Sequence, residues 1–186
     1  MFEVRFHGRG GQGAKSASQF LVEAALTEGK HIQAYPDYGP ERSGAPVRTY
    51  ARIADDPIIT HEPVTSPEAV VVLDPTLMDV VDVIEGLGSD GTLIVNSKEH
   101  PDIFRKKLKF KGRVYTLDAS TIALKLINRD SPNTALLGAL VKAIGVVELE
   151  SMKQAVVQGF LKKLGKSKAE HNGMCVQEGY EKLEVG

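Results

Sequence analysis

Gly8-Arg9-Gly10-Gly11-Gln12-Gly13 stands between a strand-like segment and a helix-like one, and that placement restricts the fold more than any other feature. Phe2-Glu3-Val4-Arg5-Phe6-His7 alternates apolar and polar residues, the period of a β-strand. Ala14 to Glu28 carries Ala17, Phe20, Leu21, Ala24, Ala25 and Leu26 at helical spacing, with Gly29 placed to end it. Strand, glycine turn and helix in that order satisfy the G-x-G-x-x-G pattern in the context it requires. Glycines permit a tight turn and close backbone approach. The helix start then offers unpaired N–H groups and a positive dipole end to an anion. Asp37, 24 positions after Gly13, lies close to where a dinucleotide fold carries its ribose-binding acid. The stretch is a near miss for a P-loop, because Ala14 intervenes before Lys15-Ser16 and displaces the lysine, so nucleoside triphosphate hydrolysis is discounted. The loop reads as a contact for a phosphate-bearing ligand, with a plain connecting turn as the alternative.

The rest of the chain extends this α/β pattern. His31–Tyr35 reads as a second strand, Tyr38 to Pro46 as a loop rich in Gly, Pro and Ser, and Val47–Ile53 as a third strand. Pro57 to Thr60 reads as a short edge strand in a hairpin with the third. Ala69 to Asp74 is apolar without alternation until its last residue, as a strand buried on both faces should be, and Thr92–Val95 repeats the type. Helices are expected over Thr76–Glu85, stopped by Gly86 and Gly88, and over Pro101–Lys109, with a strand at Arg113–Leu117. From Ala119 the pattern is helical, over about 119–129, 133–145, 148–164 and 167–182. Together these predict a three-layer α/β/α sandwich, Rossmann-like, with a mostly parallel (mixed) sheet and a helical C-terminal part.

Composition narrows the function. The chain of 186 residues, 42% apolar, supports one core, so residues 1–186 are read as a single domain. A net charge of −1 argues against a nucleic-acid partner, and the run from Arg105 to Arg113 reads as a solvated basic face. Cys175 is the single cysteine, too few for a disulfide, an iron–sulfur cluster or a structural zinc. His7, His31, His61, His100 and His171 show no metal spacing, so no metal site is expected. Phe2–His7 already reads as a strand where a leader would stand, and no apolar run reaches about 18 residues. A soluble, cytoplasmic protein without a membrane partner is the expectation.

Three motifs carry a resemblance. They are His7-Gly8-Arg9-Gly10-Gly11-Gln12-Gly13-Ala14-Lys15-Ser16, Tyr38-Gly39-Pro40-Glu41-Arg42-Ser43-Gly44-Ala45-Pro46, and Pro132-Asn133-Thr134-Ala135-Leu136-Leu137-Gly138-Ala139. In this order, across residues 2 to 182, the chain resembles the gamma subunits of pyruvate:ferredoxin and related 2-oxoacid:ferredoxin oxidoreductases. The resemblance implies an enzyme that oxidatively decarboxylates a 2-oxoacid, most closely pyruvate, to acyl-CoA and CO2, with thiamine diphosphate, coenzyme A and iron–sulfur clusters, and reduces ferredoxin. It implies alpha, beta and ferredoxin-like delta subunits as partners that hold the thiamine diphosphate and the clusters. It places the gamma chain beside the thiamine site and in contact with coenzyme A. The residues agree with that division: one cysteine cannot ligate a cluster, and the Gly-Asp-Gly that opens a thiamine-diphosphate motif is absent, Ser89-Asp90-Gly91 being the nearest approach. No catalytic residue is expected in this chain alone. The family does not use a nicotinamide cofactor, so the resemblance turns the glycine loop to another use and makes Asp37 an ordinary carboxylate.

The candidate cofactor-binding residues are Gly8, Arg9, Gly10, Gly11, Gln12, Gly13, Arg42, Ser43, Gly44, Asn133 and Thr134. Arg42 sits among Gly39, Pro40, Gly44 and Pro46, where a rigid loop would hold a guanidinium for a phosphate or carboxylate, or for an ion pair with Glu41. Ser43 would donate to the same anion or serve the turn. Gln12 would bond a cofactor or cap the turn, and Arg9 would pair with phosphate or a partner subunit. Asn133 and Thr134, just after Pro132, would reach a cofactor, or Asn133, Ser131 or Thr134 would simply cap the helix. Two alternatives to the helper subunit stand: a free-standing dinucleotide-binding dehydrogenase, and a purely scaffolding subunit.

Overall fold

Alternation at the N-terminus becomes an interior strand of the sheet. The computed structural model describes residues 1–37 and 44–185. Its β1 (Phe2–Arg9) turns Val4 and Phe6 into one apolar layer and Arg5 toward the opposite face. The chain then runs α1 (Ala14–Thr27), β2 (His31–Asp37), β3 (Pro46–Ala54), β4 (Ala69–Val72), β5 (Thr92–Asn96), α2 (Pro101–Leu108) and β6 (Arg113–Leu117). Four helices follow, α3 (Ala119–Ile127), α4 (Asn133–Ile144), α5 (Leu149–Leu164) and α6 (Lys166–Glu181), before a two-residue β7 (Glu184–Val185). The sheet order is β2-β3-β1-β4-β5-β6-β7. β1, β4, β5 and β6 are mutually parallel, while β3 is antiparallel to both its neighbours and β7 antiparallel to β6.

The buried parallel strands are the expected ones. Ala69, Val71, Leu73 and Ile94 face one layer, and Val70, Val72, Leu93 and Val95 face the other. Two sequence expectations fail. The hairpin of β3 is not with Pro57–Thr60, which forms no strand; its neighbours are β2 and β1, so β3 is an interior strand. The helix expected over Thr76–Glu85 shortens to a 3-10 turn, Pro75–Asp79. Beyond it lie Val80, Val81, Val83 and Ile84, β-branched residues that lose rotamer freedom in a helix. The Asp82 carboxylate also accepts from the Ile84 N–H at 3.1 Å, a local bond that competes with helix formation.

The layers are unequal. One face of the sheet carries α1 and α3–α6, and the close α4–α6 crossing depends on Gly138 and Gly179. The other face carries α2 and the 3-10 turn over β4–β6, while over β1–β3 two loops replace a helix. Buried Arg52 pins the first loop: its guanidinium reaches Glu3 Oε1 (2.7 Å), Gln33 Oε1 (2.8 Å) and the Glu62 carbonyl (2.5 Å). Buried Arg5 pins the second through the Val83 and Glu85 carbonyls, at 3.1 and 2.6 Å. At the sheet's carboxyl edge β1 runs into the glycine loop beside the end of its parallel neighbour β4.

Candidate cofactor-binding crevice

The chain leaves β1 toward β2 and β3 on one side and later fills the other side with β4, β5 and β6. The β1–β4 boundary is therefore the switch point, where open α/β sheets form a crevice at the strands' carboxyl ends. The glycine loop stands there. Gly11 and Gly13 have φ of +96° and +88°, values that L side chains rarely adopt. The Gly10 N–H donates to the Ala45 carbonyl at 3.1 Å, which joins the glycine loop to the end of the second motif.

The third motif arrives from the other direction. A Cβ on Gly13 would lie 2.6 Å from Asn133 Nδ2, so the first residue of α4 packs directly on the N-cap of α1. Two helices thus begin side by side. Neither takes a side-chain cap: Gly13 has no side chain, and Pro132 caps α4 without a side-chain bond. Asn133 is 2% exposed and accepts from Ser131 Oγ at 2.9 Å, so the expectation that Asn133, Ser131 or Thr134 caps the helix is not met. Two helix starts without a side-chain cap, and their two dipole ends, make this corner suited to an anion.

A polar lattice lies beside it. The Asp74 carboxylate, just past β4, accepts from Arg9 Nε and Gln12 Nε2, each at 3.0 Å. Burial raises its pKa, but bonds from Thr76, Gln12 and Arg9 outweigh this and hold the group below the ordinary carboxylate range. Asn96, at the end of β5, donates to the Leu73 carbonyl and to Ser120 Oγ, and accepts from the Ala119 and Ser120 N–H groups. Ser120 Oγ donates to Asp130 at 2.7 Å. A cavity of about 200 Å³ opens among Gln12, Asp74, Asn96, Ser120, Asp130 and Pro132.

Of the candidates from sequence, Gly8 lies in β1 paired with Val47, Gly10, Gly11, Gln12 and Gly13 form the loop at this corner, and Asn133 supports it. The Gln12 side chain serves the turn, its Oε1 accepting from the Arg9 N–H at 2.6 Å. Arg9 is committed to protein acceptors, including the Gly44 carbonyl at 3.2 Å, and is not a free anion ligand. Thr134 is fully buried beside the Cys175 thiol of α6, a place from which its hydroxyl does not reach the crevice. Burial pushes that thiol up to about 11, which keeps it protonated and unreactive at neutral pH. Arg42 and Ser43 lie outside the described residues. Asp74, Asn96, Ser120 and Asp130 were not picked out from sequence. Asp74 did carry a signal, as the acid that closes the apolar run of β4 at the switch point.

The dinucleotide alternative fails on topology. β3 lies between β1 and β2, so Asp37 stands two strand spacings, about 10 Å, from β1 instead of one. Asp37 is also paired with Arg48 at 2.8 Å. Both residues line a second cavity of about 420 Å³ with His7, Asp82 and Glu85. There burial, with Arg5 and Arg48 adding to it, lowers the His7 pKa to about 3. His7 is therefore neutral, and its Nε2 accepts from Arg5 Nε at 3.0 Å. Among the described residues no group of three or more His, Cys, Asp or Glu could hold a metal ion, and no helix is long and apolar enough to cross a membrane.

A glycine loop at the switch point of a mixed, mostly parallel sheet defines a Rossmann-like α/β chain. This one belongs to the pyruvate ferredoxin/flavodoxin oxidoreductase family, whose model matches residues 3–182, as a gamma-type subunit of a multi-subunit 2-oxoacid oxidoreductase. The common gamma subunit of the pyruvate/ketoisovalerate oxidoreductases of Pyrococcus furiosus is 47% identical over 186 residues, covering 100% of this chain and 98% of its own. Pyruvate synthase subunit PorC of Thermotoga maritima is 46% identical over 182 residues, covering 98% of this chain and 94% of its own. The crystal structure of the Thermotoga subunit superposes with a TM-score of 0.89 over 100% of this chain and 98% of that one, at 44% identity. The 2-oxoglutarate:ferredoxin oxidoreductase of Magnetococcus marinus, solved with 2-oxoglutarate, coenzyme A and succinyl-CoA bound, gives a TM-score of 0.73 at 17% identity over 97% of this chain and 30% of that one, a likeness of fold alone.

Proposed function

We propose that this chain supplies part of the coenzyme A site of a pyruvate:ferredoxin oxidoreductase. Alpha, beta and ferredoxin-like delta chains hold the thiamine diphosphate and the iron–sulfur clusters and pass electrons to ferredoxin. The carrying observation is the pair of uncapped helix starts, with Gly13 seated against Asn133. Phosphate oxygens of the coenzyme accept from the Gly11 and Gly13 N–H groups at the dipole end of α1, the Gln12 N–H being held by the Arg9 carbonyl at 3.0 Å. Gly44 closes the corner from the second motif, and Arg42 and Ser43, proposed from sequence, add donors. In this reading the chain holds one co-substrate and leaves the decarboxylation to its partners. The Pyrococcus relative is named as one gamma chain common to two enzymes. That suits a subunit which does not choose the 2-oxoacid.

The test is steady-state kinetics of the reconstituted complex carrying Arg42→Ala. The Michaelis constant for coenzyme A is expected to rise about tenfold with that for pyruvate unchanged. An unchanged constant for coenzyme A, in a complex that still assembles, would leave the scaffolding reading.

A further inference from the structure

Asp74 lies just past β4, at the start of the 3-10 turn, with a side chain 14% exposed, and its carboxylate accepts from four donors. Oδ1 takes the Thr76 N–H at 3.0 Å and the Thr76 hydroxyl at 2.6 Å. Oδ2 takes Arg9 Nε and Gln12 Nε2, each at 3.0 Å. The remaining guanidinium nitrogens of Arg9 donate to Thr76 Oγ1 at 3.0 Å and to the Gly44 carbonyl at 3.2 Å. Gln12 closes the figure from the other end of the loop through its bond to the Arg9 N–H.

We propose that Asp74 is the positioning residue of this corner: one carboxylate sets the shape of the glycine loop and, through Arg9, the place of Gly44. Asp74 touches no ligand in this role. It acts through Arg9, which is a strut between two motifs. Its relevance to the coenzyme rests on the reading given under Proposed function, whereas its hold on the loop does not. Asparagine cannot replace it. Each carboxylate oxygen accepts from two donors, so either orientation of an amide turns its NH2 against Thr76 or against Arg9 and Gln12.

The assembled enzyme carrying Asp74→Asn tests this by hydrogen exchange at residues 8–13 and 44–45, read with coenzyme A kinetics. Exchange in both segments is expected to accelerate about tenfold or more while the rest of the chain is unchanged. The Michaelis constant for coenzyme A is expected to rise by a similar factor with kcat held within about twofold. Arg9→Lys serves as a second variant, since one ammonium cannot reach the three acceptors. It is expected to give the same acceleration and to add little to Asp74→Asn. Faster exchange with an unchanged Michaelis constant supports the positioning role and counts against the coenzyme reading alone. Exchange unaltered by either variant overturns the proposal, as does acceleration spread over the whole chain.

Discussion

Asn133 Nδ2 stands 2.6 Å from where a Cβ on Gly13 would be, so the N-cap of α1 is glycine for two reasons at once. Its φ of +88° disfavours any L side chain by about 1–2 kcal/mol. The Asn133 amide then excludes the Cβ itself. Gly13→Ala is expected to cost about 2–4 kcal/mol by chemical denaturation, the strain and the overpacking combined. Only the second part depends on Asn133. In a double-mutant cycle Asn133→Ala should therefore cost at least about 1 kcal/mol less beside Gly13→Ala than alone. Additive effects would mean that the loop and α4 do not share this contact.

His7 makes stability pH-dependent. The unfolded chain binds a proton there below about pH 6.5, the folded chain only near pH 3. Protons favour unfolding between those values, so the contribution of His7 is complete above about pH 6.5 and is lost as pH falls toward 3. Between pH 7 and 5 the loss is about 2 kcal/mol. His7→Gln keeps an acceptor for Arg5 and does not titrate; its denaturation midpoint should be flatter over that range. Parallel pH profiles for the two proteins would contradict a neutral, buried His7.

Arg52 holds a loop over a part of the sheet that no helix covers among the described residues. Arg52→Lys leaves at least one of Glu3, Gln33 and the Glu62 carbonyl without its donor. A buried acceptor left unpaired costs about 1–3 kcal/mol, and the substitution is expected to fall in that range. A change under about 0.5 kcal/mol would show that water takes the lysine's place without loss.

The α4–α6 crossing is the tightest in the helical layer. A Cβ on Gly138 would collide with the Val176 carbonyl, and one on Gly179 with the Ala135 carbonyl. Gly138→Ala and Gly179→Ala are each expected to lower stability by about 2–3 kcal/mol, though alanine favours helices intrinsically. Thermal melts that rise instead would mean the two helices separate at little cost.

Much of this architecture could be read from local pattern. Ala69–Val72 and Thr92–Asn96 lack alternation because parallel strands between two layers bury both faces. The four C-terminal helices appear within a few residues of their expected ends. The errors arose where distant residues decide the outcome. Val47–Ile53 alternates like a strand with one wet face, yet Arg52 is buried and β3 lies between β1 and β2. The acceptors that permit this come from Glu3, Gln33 and Glu62, separated from Arg52 by 49, 19 and 10 positions. Leu77, Val81 and Ile84 have helical spacing, but β-branching and the Asp82 turn win over it. At the crevice, the glycine loop and Asn133 were visible as motifs. Their meeting was not, and neither was the capture of Arg9 by Asp74, because a strand end 65 positions away supplies the carboxylate.

The role proposed for this chain, holding a co-substrate without completing turnover, is open to a reconstitution experiment. The direct measurement is pyruvate- and coenzyme A-dependent reduction of an electron acceptor by three preparations: the purified chain, its partner chains without it, and the full complex. No activity is expected from the first, acetyl-CoA formation from the third, and from the second a severe loss centred on coenzyme A use. Turnover by the purified chain, or partner chains whose acetyl-CoA formation is indifferent to its omission, would contradict it.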